Sequence, residues 1–143
     1  MAGGGWVYEK GKGFVKINQS AILANQYFSP SGNIIDITTT ALYTSSIYAE
    51  WGISNRLTGI VYFPFFSRTT LNNRAYPSGE IISEGDQLNA VGDTDISLKY
   101  GLIQNGPVVI STTLTLGLPI GNSSGGRTQL LQTGDGEFNQ MIT

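Results

Sequence analysis

The sequence predicts an all-β chain, an antiparallel up-and-down sheet of about six long strands that forms part of a transmembrane β-barrel. Three observations predict it. Apolar residues recur with a period of two along runs of about ten residues, longer than the usual strand of about five or six. Connections alternate between tight turns and long polar stretches. The face opposite each apolar face is small, hydroxylated or charged, with little that fills a core.

The elements follow in order. GFVKINQSAILAN (13–25) sets Val15, Ile17, Ala21 and Leu23 opposite Lys16, Asn18 and Ser20. TTALYTSSIYAEW (39–51) sets Ala41, Tyr43, Ile47, Ala49 and Trp51 opposite Thr44, Ser46 and Glu50. LTGIVYFPFFSRT (57–69) is apolar on both faces and carries Pro64, which has no N–H for a ladder, so a bulge or break is expected there. TDISLKYGL (94–102) alternates most cleanly: Ile96, Leu98, Tyr100 and Leu102 oppose Asp95, Ser97, Lys99 and Gly101. VVISTTLTLGL (108–118) repeats it, with Val108, Ile110, Leu114 and Leu116 opposite Ser111, Thr113 and Thr115. EFNQMIT (137–143) alternates Phe138 and Ile142 against Asn139.

GISNR (52–56) and QNGP (104–107) read as tight turns, the second through Asn105-Gly106. Segments 29–37, 71–92 and 122–136 read as long polar connections. Short turns at one end, long loops at the other and strands long enough to cross a bilayer at a tilt are the marks of an outer-membrane barrel. Tyr43, Trp51, Tyr62, Phe66 and Tyr100 near strand ends fit interfacial girdles. A secreted soluble β-sandwich with an adhesion or assembly role is the alternative, with the same aromatics as its core.

Composition narrows the function. Charged residues make up 13% of the chain, against roughly 25% in ordinary soluble domains. With neither Cys nor His, thiolate chemistry, disulfides and the commonest general base and metal ligand are excluded. No catalytic residue, cofactor or metal is expected. A net charge of -2 gives no basic footprint for nucleic acid. The longest apolar stretch, GIVYFPFF (59–66), is too short for a transmembrane helix. MAGGGW lacks the features of a signal peptide, and residues 1–12 read as a flexible leader.

Two motifs invite chemistry. GNSSGGRT (121–128) resembles a phosphate-binding loop, but Arg127 stands in the lysine position and no amphipathic helix follows, so it reads as an external loop. Asp93 and Asp95, like Asp135 and Glu137, are spaced to share a cation, yet they lack a full calcium ligand set and read as polar loop margins. The candidate functional residues are those of the polar faces: Lys16, Glu50, Asp95, Ser97, Lys99, Ser111, Thr113 and Thr115. In a barrel these line the lumen, where mixed charges pair or set selectivity.

GDTDISLKYGL, a strand ending GLPIG, TGDGEFNQ and the unit AEWGISNRLTGIVYFPF together resemble the outer-membrane β-barrel family of phenol-degradation-pathway (MetA-pathway) transporters. The resemblance runs from about Gly13 to the end of the chain. It implies a Gram-negative outer-membrane pore without a catalytic site. Its partners would be the lipid bilayer and a small solute, apolar ones included. Members of that family are longer, so residues 1–143 are expected to be the N-terminal portion of one barrel domain, completed by further strands or by oligomerisation.

Overall fold

The computed structural model describes residues 4–75, 79 and 81–143, and among these the chain is all-β, with no helix. The strands are β1 (Gly13–Phe28), β2 (Ile34–Ser54), β3 (Leu57–Leu71), β4 (Arg74–Ala75), β5 (Ile81–Ser83), β6 (Asp86–Ala90), β7 (Thr94–Ile103), β8 (Ile110–Leu118) and β9 (Asn139–Ile142). Seven form one antiparallel sheet in the order β1-β2-β3-β7-β8-β9, with β6 also on β3; β4 and β5 make a separate hairpin. Apart from the β4–β5 hairpin inserted after β3, neighbours in the sheet follow chain order. The sheet is open, with β1 and β9 at its edges.

β6 and β7 occupy one lane. Both pair β3 in a single continuous register, from Leu71 opposite Asp86 to Leu57 opposite Tyr100. The meander therefore has six lanes, the number the periodicity predicts. The lane is interrupted beside Pro64. On the β2 side Ser45 faces Phe66 and Ile47 faces Phe63, so Pro64 and Phe65 together oppose Ser46 in a bulge. On the other side the Gly92 N–H donates to the Pro64 carbonyl at 2.9 Å. The expected break at Pro64 is present.

Two connections are more ordered than the sequence suggested. The stretch 29–37 is not a long loop: Phe28 pairs Ile34 and Gln26 pairs Asp36, leaving 29–33 as the turn. β-branched Ile34 and Ile35 favour extension, and the Gln26 amide donates to Asp36 at 2.7 Å. Within 71–92, Asp86–Ala90 forms β6 although Asp, Gln and Asn are poor strand formers. Pairing with the end of β3 overrides that propensity.

The two faces differ in exposure. Ser46, Glu50, Thr58, Ser67 and Ser97 are buried, whereas Val15, Ile17, Leu23, Val61, Ile96, Leu98, Ile110 and Leu114 are exposed. Among the described residues the buried apolar side chains are few: Ala41, Ile60, Pro64 and Leu131. No second sheet among the described residues covers the apolar face, and Leu114 is 41% exposed.

Trp51 and Tyr100 stand on the apolar face near the tight-turn end, and Tyr43 and Phe66 stand on it further along. Tyr62 does not join them. It pairs Tyr48 on the polar face, in line with buried Thr58 and Ile60. Because β3 is apolar on both sides, its own periodicity assigned Tyr62 no face; the cross-strand neighbours do.

Candidate functional site

Register gathers all eight candidate residues on the polar face. Lys16 pairs Tyr48, and Glu50 pairs Ile60. Asp95, Ser97 and Lys99 lie opposite Tyr62, Ile60 and Thr58. Thr115 and Thr113 lie opposite Ser97 and Lys99, and Ser111 opposite Gly101. The strip thus runs from β1 to β8. Ser97 Oγ and Thr115 Oγ1 share a hydrogen bond of 2.9 Å across it.

Lys16, Glu50, Asp95 and Lys99 are in no ion pair among the described residues. Among the described residues the only ion pair is Arg127–Glu84, at the long-loop end. Glu50, 3% exposed, accepts instead the Tyr48 hydroxyl at 2.6 Å. The reason is register: the cross-strand neighbours of Glu50 and Lys99 are Ile60, Phe14, Thr58 and Thr113, none of opposite charge.

The aromatic lining of this face was not among the predicted functional residues. Tyr8, Phe14 and Tyr48 form a tilted series with ring centroids 6.0 and 5.7 Å apart, within the favourable range for aromatic pairs. With Lys16, Asn18, Ser46 and Tyr62 they surround a cavity of about 680 Å³. Phe14 and Tyr48 share the parity of Lys16 and Glu50, so an i, i+2 count along β1 and β2 would have found them.

Residues 5–12 lie across the polar face as a strap. The Tyr8 N–H donates to Thr58 Oγ1 at 2.9 Å, and the Val7 N–H to Gln104 Oε1 at 3.1 Å. Gln104 returns a bond to the Gly5 carbonyl at 2.9 Å, and the Lys10 N–H reaches Asn55 at 3.1 Å. Gly11 and Lys12 exchange backbone bonds with Gly52, each 2.8 Å. The strap passes so close to Gly52 that a side chain there would meet the Glu9 carbonyl oxygen.

At the other end the loop 119–138 folds back over the same face. Asp93 accepts the Gly121 and Asp135 N–H groups at 2.9 and 2.7 Å. Gly134 is needed there, since a Cβ would overlap the Asp93 carboxylate. Asp86 accepts the N–H groups of Arg127 and Thr128, both at 2.8 Å, and the Thr128 hydroxyl at 2.6 Å. The turn that resembled a phosphate cradle holds the chain's own carboxylate. These bonds, the Thr128 hydroxyl first, hold the Asp86 carboxyl well below its usual range. Asp86 lies past Tyr43 and Phe66, at the loop end of the sheet. Thr69 Oγ1 donates to the Gln132 carbonyl at 2.8 Å, leaving a cavity of about 540 Å³ between loop and sheet. Asp93, Asp95 and Asp135 therefore act as loop anchors or lie beside them, and no group of three or more acidic residues suited to a metal occurs among the described residues.

Fold and site together define an open antiparallel meander with an exposed apolar face and a covered polar one. The chain matches no protein-family model, no curated protein and no solved structure.

Proposed function

We propose that this chain forms the wall of an outer-membrane β-barrel pore of a Gram-negative bacterium, through which a small solute, apolar ones included, moves passively. The observation that carries the reading is the inverted burial: Ser46, Thr58 and Glu50 are buried while Ile96, Leu98 and Leu114 are exposed. Water would make so large an apolar face a liability, whereas hydrocarbon makes it the stable arrangement. Band height agrees. Tyr43 and Trp51 are eight residues apart on β2, which at ~3.3 Å per residue and a tilt of ~40° gives ~20 Å, near the ~25 Å apolar band of such barrels.

The polar strip from Lys16 to Thr115 is the lumen wall in this reading, and the Tyr8–Phe14–Tyr48 cavity is where a solute with apolar surface rests. The protein is a conduit, with no reaction, cofactor or nucleic acid. The resemblance to phenol-degradation-pathway transporters points the same way. Fractionation of cells expressing the chain behind an added export signal tests the proposal. Recovery in the detergent-extracted outer-membrane fraction is expected, and a soluble product that needs no detergent would overturn it in favour of a secreted sandwich.

A further inference from the structure

The geometry points to residues 4–12 as an internal gate, a strap that closes the tight-turn end of the polar channel and must shift before solute passes. The inference rests on the pore reading. The strap lies on the channel side, because its partners there belong to the polar face. Thr58, which holds the Tyr8 N–H, is 0% exposed, and Gly4 and Gly5 line a hollow with Lys99, Ser111 and Thr113. It also runs across the strands. Gly11 sits on β2, Tyr8 on β3, Val7 at the end of β7 and Gly5 against Val109, just before β8. Residues 9–12 turn, with the Lys12 N–H donating to the Glu9 carbonyl, so the crossing is made by residues 5–9. Their extended reach of about 14 Å matches the width of about 14 Å across four lanes. The segment therefore covers the width from β2 to β8.

What holds it is suited to release. Four of the contacts above are single bonds between strap backbone and the side chains of Asn55, Thr58 and Gln104, two of them to Gln104. Each such bond contributes only about 0.5–1.5 kcal/mol net. No strap residue is in an ion pair among the described residues. Tyr8 also forms one wall of the aromatic cavity with Phe14 and Tyr48. Displacing the strap would open the end of the channel and the cavity together.

Three proteins test this: the intact chain, a chain lacking residues 2–10, and Gly52→Val, whose side chain would collide with the Glu9 carbonyl. Each is refolded in detergent and reconstituted into phosphatidylcholine vesicles, with flotation to score membrane association. Hydrogen exchange at the Val7 and Tyr8 amides reports strap position, and leakage of trapped glucose reports the channel. Protected amides in the intact chain, lost protection in Gly52→Val and at least threefold faster leakage from both variants are expected. Equal leakage from all three, with Val7 and Tyr8 protected in the intact chain, would overturn the gate and leave the pore. Unprotected amides in the intact chain would overturn the strap itself. Failure of all three proteins to float with vesicles would overturn the pore reading and the gate with it.

Discussion

Leu98 and Leu114 pair directly across β7 and β8 on the exposed face, one residue along from the Ser97–Thr115 hydroxyl pair on the covered one. That adjacency makes the two environments comparable by mutation. Leu98→Lys places a charge on the apolar face. In hydrocarbon this should cost roughly 2–4 kcal/mol near the bilayer midplane, whereas at a water-exposed position it should cost within about 0.5 kcal/mol. The measurement is a urea titration of the protein folded in lipid vesicles. A near-neutral Leu98→Lys would remove the main support for lipid on that face.

Pro64 makes a sharper structural statement. It sits in the bulge facing Ser46, where the ladder to β2 has already slipped and the lane of β6 and β7 is interrupted. Pro64→Ala should therefore change stability by no more than about 1 kcal/mol. Val61→Pro, three residues earlier and paired with both Ala49 and Ile96, removes a donor from a continuous ladder and should prevent folding. If both variants fold equally well, the bulge is not what accommodates the proline.

The part of this architecture legible in the sequence is the part written in alternation. Ile96, Leu98 and Leu114 against Ser97, Lys99 and Thr115 fixed two strands and their faces. A proline in an apolar run located the bulge. What remained hidden depends on partners far along the chain. Asp86 enters a strand because β3 offers a ladder, and Tyr62 faces the polar side because Tyr48 does. The strap was illegible for the same reason. Residues 5–12 show no periodicity, and Val7 and Tyr8 are placed by the side chains of Gln104 and Thr58, 97 and 50 residues away.

Asp86 predicts a pH dependence of the long loop. Its carboxyl is held below the ordinary value of 3.8 by the Thr128 hydroxyl and by the Thr128 and Arg127 amides. A depressed folded pKa contributes stability that is fully present above the ordinary value and lost as pH falls through the folded one. Anchoring of 121–136 should thus be unchanged from neutral pH to about 5 and weaken progressively below about 4. Exchange at the Thr128 amide, extrapolated for its intrinsic rate, reads this. Asp86→Asn should exchange faster at neutral pH and lose most of the acid dependence; an equally steep dependence in that variant would assign it to another group.

The edges of the sheet carry the last prediction. Among the described residues β1 pairs only β2 along its sixteen residues, and β9 pairs only β8. In lipid each backbone group without a partner costs several kcal/mol, so an open sheet cannot remain as it stands in a bilayer. Since β1 and β9 run in opposite directions across the meander, β9 of one copy joined to β1 of another keeps every neighbour antiparallel. Two copies then double the six lanes, past the eight strands of the smallest barrels. These residues alone should therefore migrate in detergent as a dimer or larger species and give no conductance from a monomer. Size-exclusion chromatography with light scattering, run beside planar-bilayer recording of each fraction, measures both. Discrete single-channel steps from a monomer-sized fraction would mean that the edges close on each other, and that the lane count read from the sheet is too low.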